Sequence, residues 1–213
     1  MTNLWTNRKI DRVGVFKSKI LWLWCLLILF PRLGNSATPI WVDFSGYDKS
    51  CGIQAMQEGP LLQVVWPGER GQTLRVRFNL GDLNLLIRDI SVSRSSTFVP
   101  ILENVSPQYM SYTGKRRGGW DNFFDTPPSH RGEIRTFDSS LKGNMCQVTS
   151  DHQRVQVTIN GFEVGIFHGQ LMFTFYKGSN LVQQEAVVRT EDPDVAYYYD
   201  AWLTHCSTKN IKR

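Results

Sequence analysis

The sequence predicts an all-β chain, an antiparallel β-sandwich behind an N-terminal signal helix. Three observations carry that prediction. Residues 170–176 and 181–189 alternate apolar and polar side chains in runs rich in Phe, Tyr and Val, the pattern of a strand with one buried face. Residues 41–92 contain no helical period of useful length. Turn-forming pairs punctuate the chain at Pro67-Gly68, Gly81-Asp82 and Asn160-Gly161, and Gly178 suits a tight hairpin. Hydrophobic residues make up 41% of the 213 residues, enough for a packed core, and 12% are aromatic. That aromatic share favours β-structure and leaves some rings for a surface.

In chain order, residues 1–37 read as a leader. Residues 20–30 are eleven uncharged, strongly apolar residues, preceded by Arg8, Lys9, Arg12, Lys17 and Lys19. Small residues follow, up to Ala37, where cleavage is expected. Eleven residues span about 16 Å as a helix, roughly half a hydrocarbon core. Export to the periplasm, the envelope or the medium is therefore expected. An uncleaved anchor formed by residues 20–30 is the alternative, and is the only membrane contact expected. The formal net charge of +5 gathers at the two ends, with Lys209, Lys212 and Arg213 at the tail. The body of the chain is close to neutral and has no basic face, so no nucleic-acid partner is expected.

Export changes the reading of the cysteines. Cys25 would leave with the leader, while Cys51, Cys146 and Cys206 remain. An oxidising compartment permits one disulfide, and Cys51 with Cys146 is the expected pair, because both flank strand-like segments well inside the domain. His130, His152, His168 and His205 are isolated from one another, and no CxxC, HxH or HExxH spacing occurs. No metal site and no cofactor are expected.

The domain is expected over residues 38–201, with 202–213 as an irregular tail. Residues 39–44 form a first short strand with Trp41 as a core ring. Residues 61–66 form a second, closed by Pro67-Gly68. Residues 73–80 place Leu74, Val76, Phe78 and Leu80 on one face, and residues 84–92 follow as another strand. Asn104 opens a formal glycosylation triplet ending at Ser106.

Residues 108–144 read as a long irregular insertion, of a kind that is functional or mobile. Here Lys115, Arg116 and Arg117 meet Gly118-Gly119, and rings then interleave with acids at Trp120, Asp121, Phe123, Phe124 and Asp125. Rings beside short polar groups suit sugar recognition, because a pyranose offers an apolar face and a rim of hydroxyls. Arg116, Trp120, Asp121, Phe124 and Asp125 are thus the expected ligand contacts, with a glycan as partner. The plainer alternative is a loop that packs Trp120 and Phe124 over an open end of the sheet.

Residues 113–125, 169–188 and 195–200 together resemble the N-terminal region of large exported bacterial proteins with a galactose-mutarotase-like β-supersandwich. The resemblance covers about residues 40–201. It implies a supersandwich fold and a carbohydrate context, and it transfers no catalytic residue. It also implies that such proteins continue beyond Asp200, so this chain reads as a shortened form with an exposed sheet edge near its C-terminus.

In the second β block, Val155, Val157 and Ile159 share one face, and Asn160-Gly161 predicts a hairpin. Leu171, Phe173 and Phe175 share one face of the next strand. Across Gly178, Gln183 and Glu185 fall on a common face. If that face is concave, Glu185 is a candidate general acid or base with His168 or Asp200 as its partner. Such chemistry needs two ionisable groups about 5–9 Å apart. A solvated strand face is the plainer reading. The functional expectation is an exported carbohydrate-binding or carbohydrate-processing domain, and binding is favoured over catalysis. The alternative is a non-catalytic structural or interaction domain of the cell envelope.

Overall fold

A computed structural model describes residues 40–95, 97–115 and 134–207. The fold is all-β and sandwich-like. In chain order the described strands are β1 (Trp41–Gly46), β2 (Gln54–Glu58), β3 (Leu61–Pro67), β4 (Thr73–Asn79), β5 (Ile87–Ser93) and β6 (Val99–Lys115). They are followed by β7 (Arg135–Leu141), β8 (Met145–Ser150), β9 (Arg154–Val164), β10 (Phe167–Tyr176), β11 (Val182–Arg189) and β12 (Val195–Thr204). Among the described residues no helix is long and apolar enough to cross a membrane.

Alternation builds the core. Leu62, Val64 and Trp66 on β3, and Leu74, Val76 and Phe78 on β4, point inward from one layer. Val155, Val157 and Ile159 on β9, and Leu171, Phe173 and Phe175 on β10, point inward from the other. The layers meet through rings: Trp66 lies 4.9 Å from Phe175 and Phe78 lies 4.8 Å from Phe173, centroid to centroid. The Trp66 indole N–H donates to the Ser179 carbonyl at 2.8 Å, so the largest core ring is also satisfied as a donor.

One layer runs β2-β3-β4-β5 and continues into the first half of β6. The other contains β1, β8, β9, β10 and β11. β7 joins them, pairing with β6 through Arg135 to Asp138 and with β9 through Ser139 to Leu141. β6 changes partners along its length. Residues up to Val105 pair with β5, while Ser106 onward pairs with β12. Asn104, at φ 52°, and Pro107 sit at that change, a place where a residue without an N–H is tolerated.

Several sequence expectations need correction. The sheet is mixed, because β1 pairs with β8 in parallel. Trp41 is not a core ring; it is 79% exposed, while its neighbour Val42 points inward. Strands β2 and β8 carried too short an alternation to be recognised, and the start of the expected strand at Asn84 is a 3-10 turn, Leu83–Leu85. Among the described residues of the interval 108–144, most are strand, since β6 extends to Lys115 and β7 spans Arg135–Leu141. Asn160-Gly161 is not a hairpin. Asn160 pairs with Gln170 and Phe162 with Gly169, so Gly161 is an extra residue in β9, at φ 73°. Its carbonyl accepts from the Lys142 N–H at 2.9 Å. This bulge lies where β9 exchanges β8 for β7 as its neighbour. The actual hairpin turns at Gly165, φ 62°, between Val164 and Phe167. The segment expected as a tail from residue 202 begins as strand, because β12 continues through Thr204.

The expected Cys51–Cys146 bridge is also absent: both are free and buried thiols. Each has its own place in the core. The Cys51 thiol donates to the Ile53 carbonyl at 3.5 Å, and Cys146 stands in β8 between Val42 and Ile159. Burial pushes the Cys146 thiol up to about 12, so it stays protonated and unreactive.

Candidate functional site

Beyond Pro107 the alternation of β6 produces two unlike faces. Tyr109, Ser111 and Thr113 are buried, while Gln108, Met110 and Tyr112 lie on the opposite, partly open face. β7 and β12 flank this half of β6 on opposite edges and extend both faces.

On the outer face the register sets Tyr198, Tyr112 and Thr136 in one row, and Asp200, Met110 and Asp138 in the next. With strands about 4.8 Å apart, the backbones of Asp200 and Asp138 stand about 10 Å apart across Met110. The rings of Tyr112 and Tyr198 stack at 4.4 Å with 13° between their planes. The Tyr112 hydroxyl donates to Asp200 Oδ2 at 3.2 Å. Burial pushes the Tyr112 phenol up, and the hydrogen bond to Asp200 and the negative charges of Asp200 and Asp138 add to it. The phenol therefore remains a donor. Trp202, 40% exposed, is two residues further along β12 on the same face. The result is a strip of rings with carboxylates set among them.

On the inner face, Tyr197 meets Phe167 edge-on at 4.9 Å, and Tyr199 leans on Tyr109 at 6.4 Å. The Tyr109 hydroxyl accepts from Gln184 Nε2 at 3.0 Å and its ring meets Phe162 edge-on. Burial raises the Tyr109 phenol against that hydrogen bond. Ser111 is 3% exposed, and its hydroxyl has no hydrogen-bond partner among the described residues.

The catalytic candidates are not brought together. Glu185 lies opposite Met172, on the outer face of β11, with Gln183 on the same face. His168 is on the same strand as Met172 but four residues away, about 13 Å along the chain. It faces Arg189 across the ladder, and its Nδ1 is 3.8 Å from the Glu163 carboxylate. Asp200 belongs to β12, whose ladder partner is β6. Sequence reasoning placed Gln183 and Glu185 together correctly, but the polar residue of β11 that faces inward is Gln184. Among the described residues no cluster of three His, Cys, Asp or Glu side chains could hold a metal ion.

Arg116, Trp120, Asp121, Phe124 and Asp125 lie outside the described residues. In sequence, residues 116–134 link β6 to β7, the two strands that carry Tyr112 and Asp138. Tyr112, Tyr198 and Trp202 escaped the sequence reading. A signal existed in the alternation of residues 108–113, and in the aromatic run 197–202, which assignment to a tail cut short.

A scan against protein-family models finds no match to the chain, and a search of curated proteins finds none either.

Proposed function

We propose that this is an exported, non-catalytic carbohydrate-binding domain whose ligand lies on the outer face of β6, β7 and β12. The observation that carries this reading is the outer-face strip of half-buried Tyr112 with exposed Tyr198 and Trp202, and with Asp200 and Asp138 beside the rings. Rings in a sheet face supply flat apolar surface at low entropic cost, and carboxylates supply acceptors for sugar hydroxyls. The leader-like residues 1–37 and the resemblance to sugar-associated exported proteins favour the same conclusion. The separation of Glu185 from His168 favours binding over turnover.

A glycan array on the intact chain, followed by calorimetry on the best ligand, tests this reading. Tyr198→Ala and Trp202→Ala are expected to weaken binding at least ten-fold, a change of about 1.4 kcal/mol each. Their melting temperatures should stay close to that of the parent. If no glycan binds the intact chain, the reading falls.

A further inference from the structure

The sheets have four strands with a ladder partner on one side only, among the described residues: β1, β2, β11 and β12. Three of these edges are blunted. β1 is broken by an irregularity between Asp43 and Gly46. β2 is five residues long. β11 carries Gln183, Glu185 and Arg189. β12 differs from all three: it runs ten residues, contains no Pro or Lys, and has Asp200 as its one charge. Its Tyr197, Tyr199 and Trp202 are 49%, 63% and 40% exposed. A long, aromatic edge offers main-chain donors and acceptors to another extended strand.

The sequence of β12 indicates which strand. Two copies that meet edge to edge and antiparallel are related by a two-fold axis perpendicular to the sheet. That symmetry keeps inner faces with inner faces, so the axis must pass through a residue and not between two. Centred on Tyr199, the register pairs nine residues, Val195 to Leu203. It sets Tyr199 against its own copy, Trp202 against Ala196, and Tyr197 against Ala201. Trp202 and Tyr197 thus each meet an alanine, Asp200 meets Tyr198, and Leu203 meets Val195. Centring on Asp200 would oppose two carboxylates, which destabilises a cross-strand pair. Centring on Tyr198 would shorten the ladder. We propose that β12 pairs with β12 of a second copy of this chain about Tyr199, joining the two sheets into one and placing two outer aromatic strips side by side.

The test is sedimentation velocity over a concentration series, together with cysteine cross-linking in the full chain carrying Cys25→Ser and Cys206→Ser. A concentration-dependent dimer is expected. Tyr199→Lys should weaken it at least ten-fold, whereas Tyr199→Phe should leave it intact. Under mild oxidation Tyr199→Cys should form a covalent dimer in high yield and Asp200→Cys much less. A chain that stays monomeric at all concentrations overturns the proposal. So does a dimer indifferent to Tyr199→Lys when circular dichroism confirms that the variant is folded. Cross-linking through Asp200→Cys as efficient as that through Tyr199→Cys also overturns it.

Discussion

The interface of β3 and β4 with β10 and the ladder of β6 with β12 use the same residue types to opposite ends. Both are rich in aromatic rings. In the first, Trp66, Phe78 and Phe175 are fully buried and lean on one another across two layers. In the second, Tyr197, Tyr198, Tyr199 and Trp202 all remain at least 40% exposed. A ring is therefore core or surface according to whether a second layer lies over its face. β10 covers β4, while the outer side of β12 has no strand layered over it among the described residues.

Truncations break or sharpen this comparison. The largest effect is expected from Phe78→Ala, which opens a cavity between Phe173 and Phe175 and should cost about 3–5 kcal/mol in denaturant unfolding. A cost near 1 kcal/mol would mean that the two layers are not packed as described.

Next comes Asp89, a 2% exposed carboxylate on β5. It accepts from Arg77 Nε, from Arg75 Nη2 at 3.1 Å and from the Ser91 hydroxyl at 2.5 Å. Burial alone would raise its pKa, but the Ser91 hydrogen bond and the two guanidinium groups outweigh it and hold the carboxyl below the usual range. Asp89→Ala strands two arginines and should cost about 3 kcal/mol. A lowered folded-state pKa adds stability that is present above the unfolded value and is lost as pH falls through the folded value. The parent should therefore lose more stability between pH 7 and pH 3 than Asp89→Asn does. Equal losses would remove Asp89 as a source of acid sensitivity.

The smallest effect belongs to the exposed strip. Trp202→Ala should change unfolding free energy by about 0.5 kcal/mol or less, the scale of surface substitutions. A loss comparable to Phe78→Ala would make Trp202 part of the core and end the contrast between the two regions.

The chemistry of the most strongly alternating strands was legible locally. Leu74, Val76 and Phe78, and Leu171, Phe173 and Phe175, face inward as their alternation requires, and Gly178 carries φ 82° in the turn after β10. The errors arose where a local signal had two outcomes. Asn160-Gly161 satisfies a hairpin and a bulge equally, because both need a residue at positive φ. Trp41 alternates with Val42, and period two does not say which of them faces the core. The candidate site was the least legible part. Its rows combine residues 110–112, 136–138 and 198–202, which become neighbours only through strand pairing.

By itself, then, the sequence determined that the chain is built of strands and which side chains in its strongest strands share a face, because period and turn chemistry are local properties of the backbone. Tertiary structure alone decided which faces are covered, which cysteines stay free, and that Tyr112 stacks on Tyr198 beside Asp200. Those outcomes depend on register and layering between segments up to about 110 residues apart, and no local pattern encodes them.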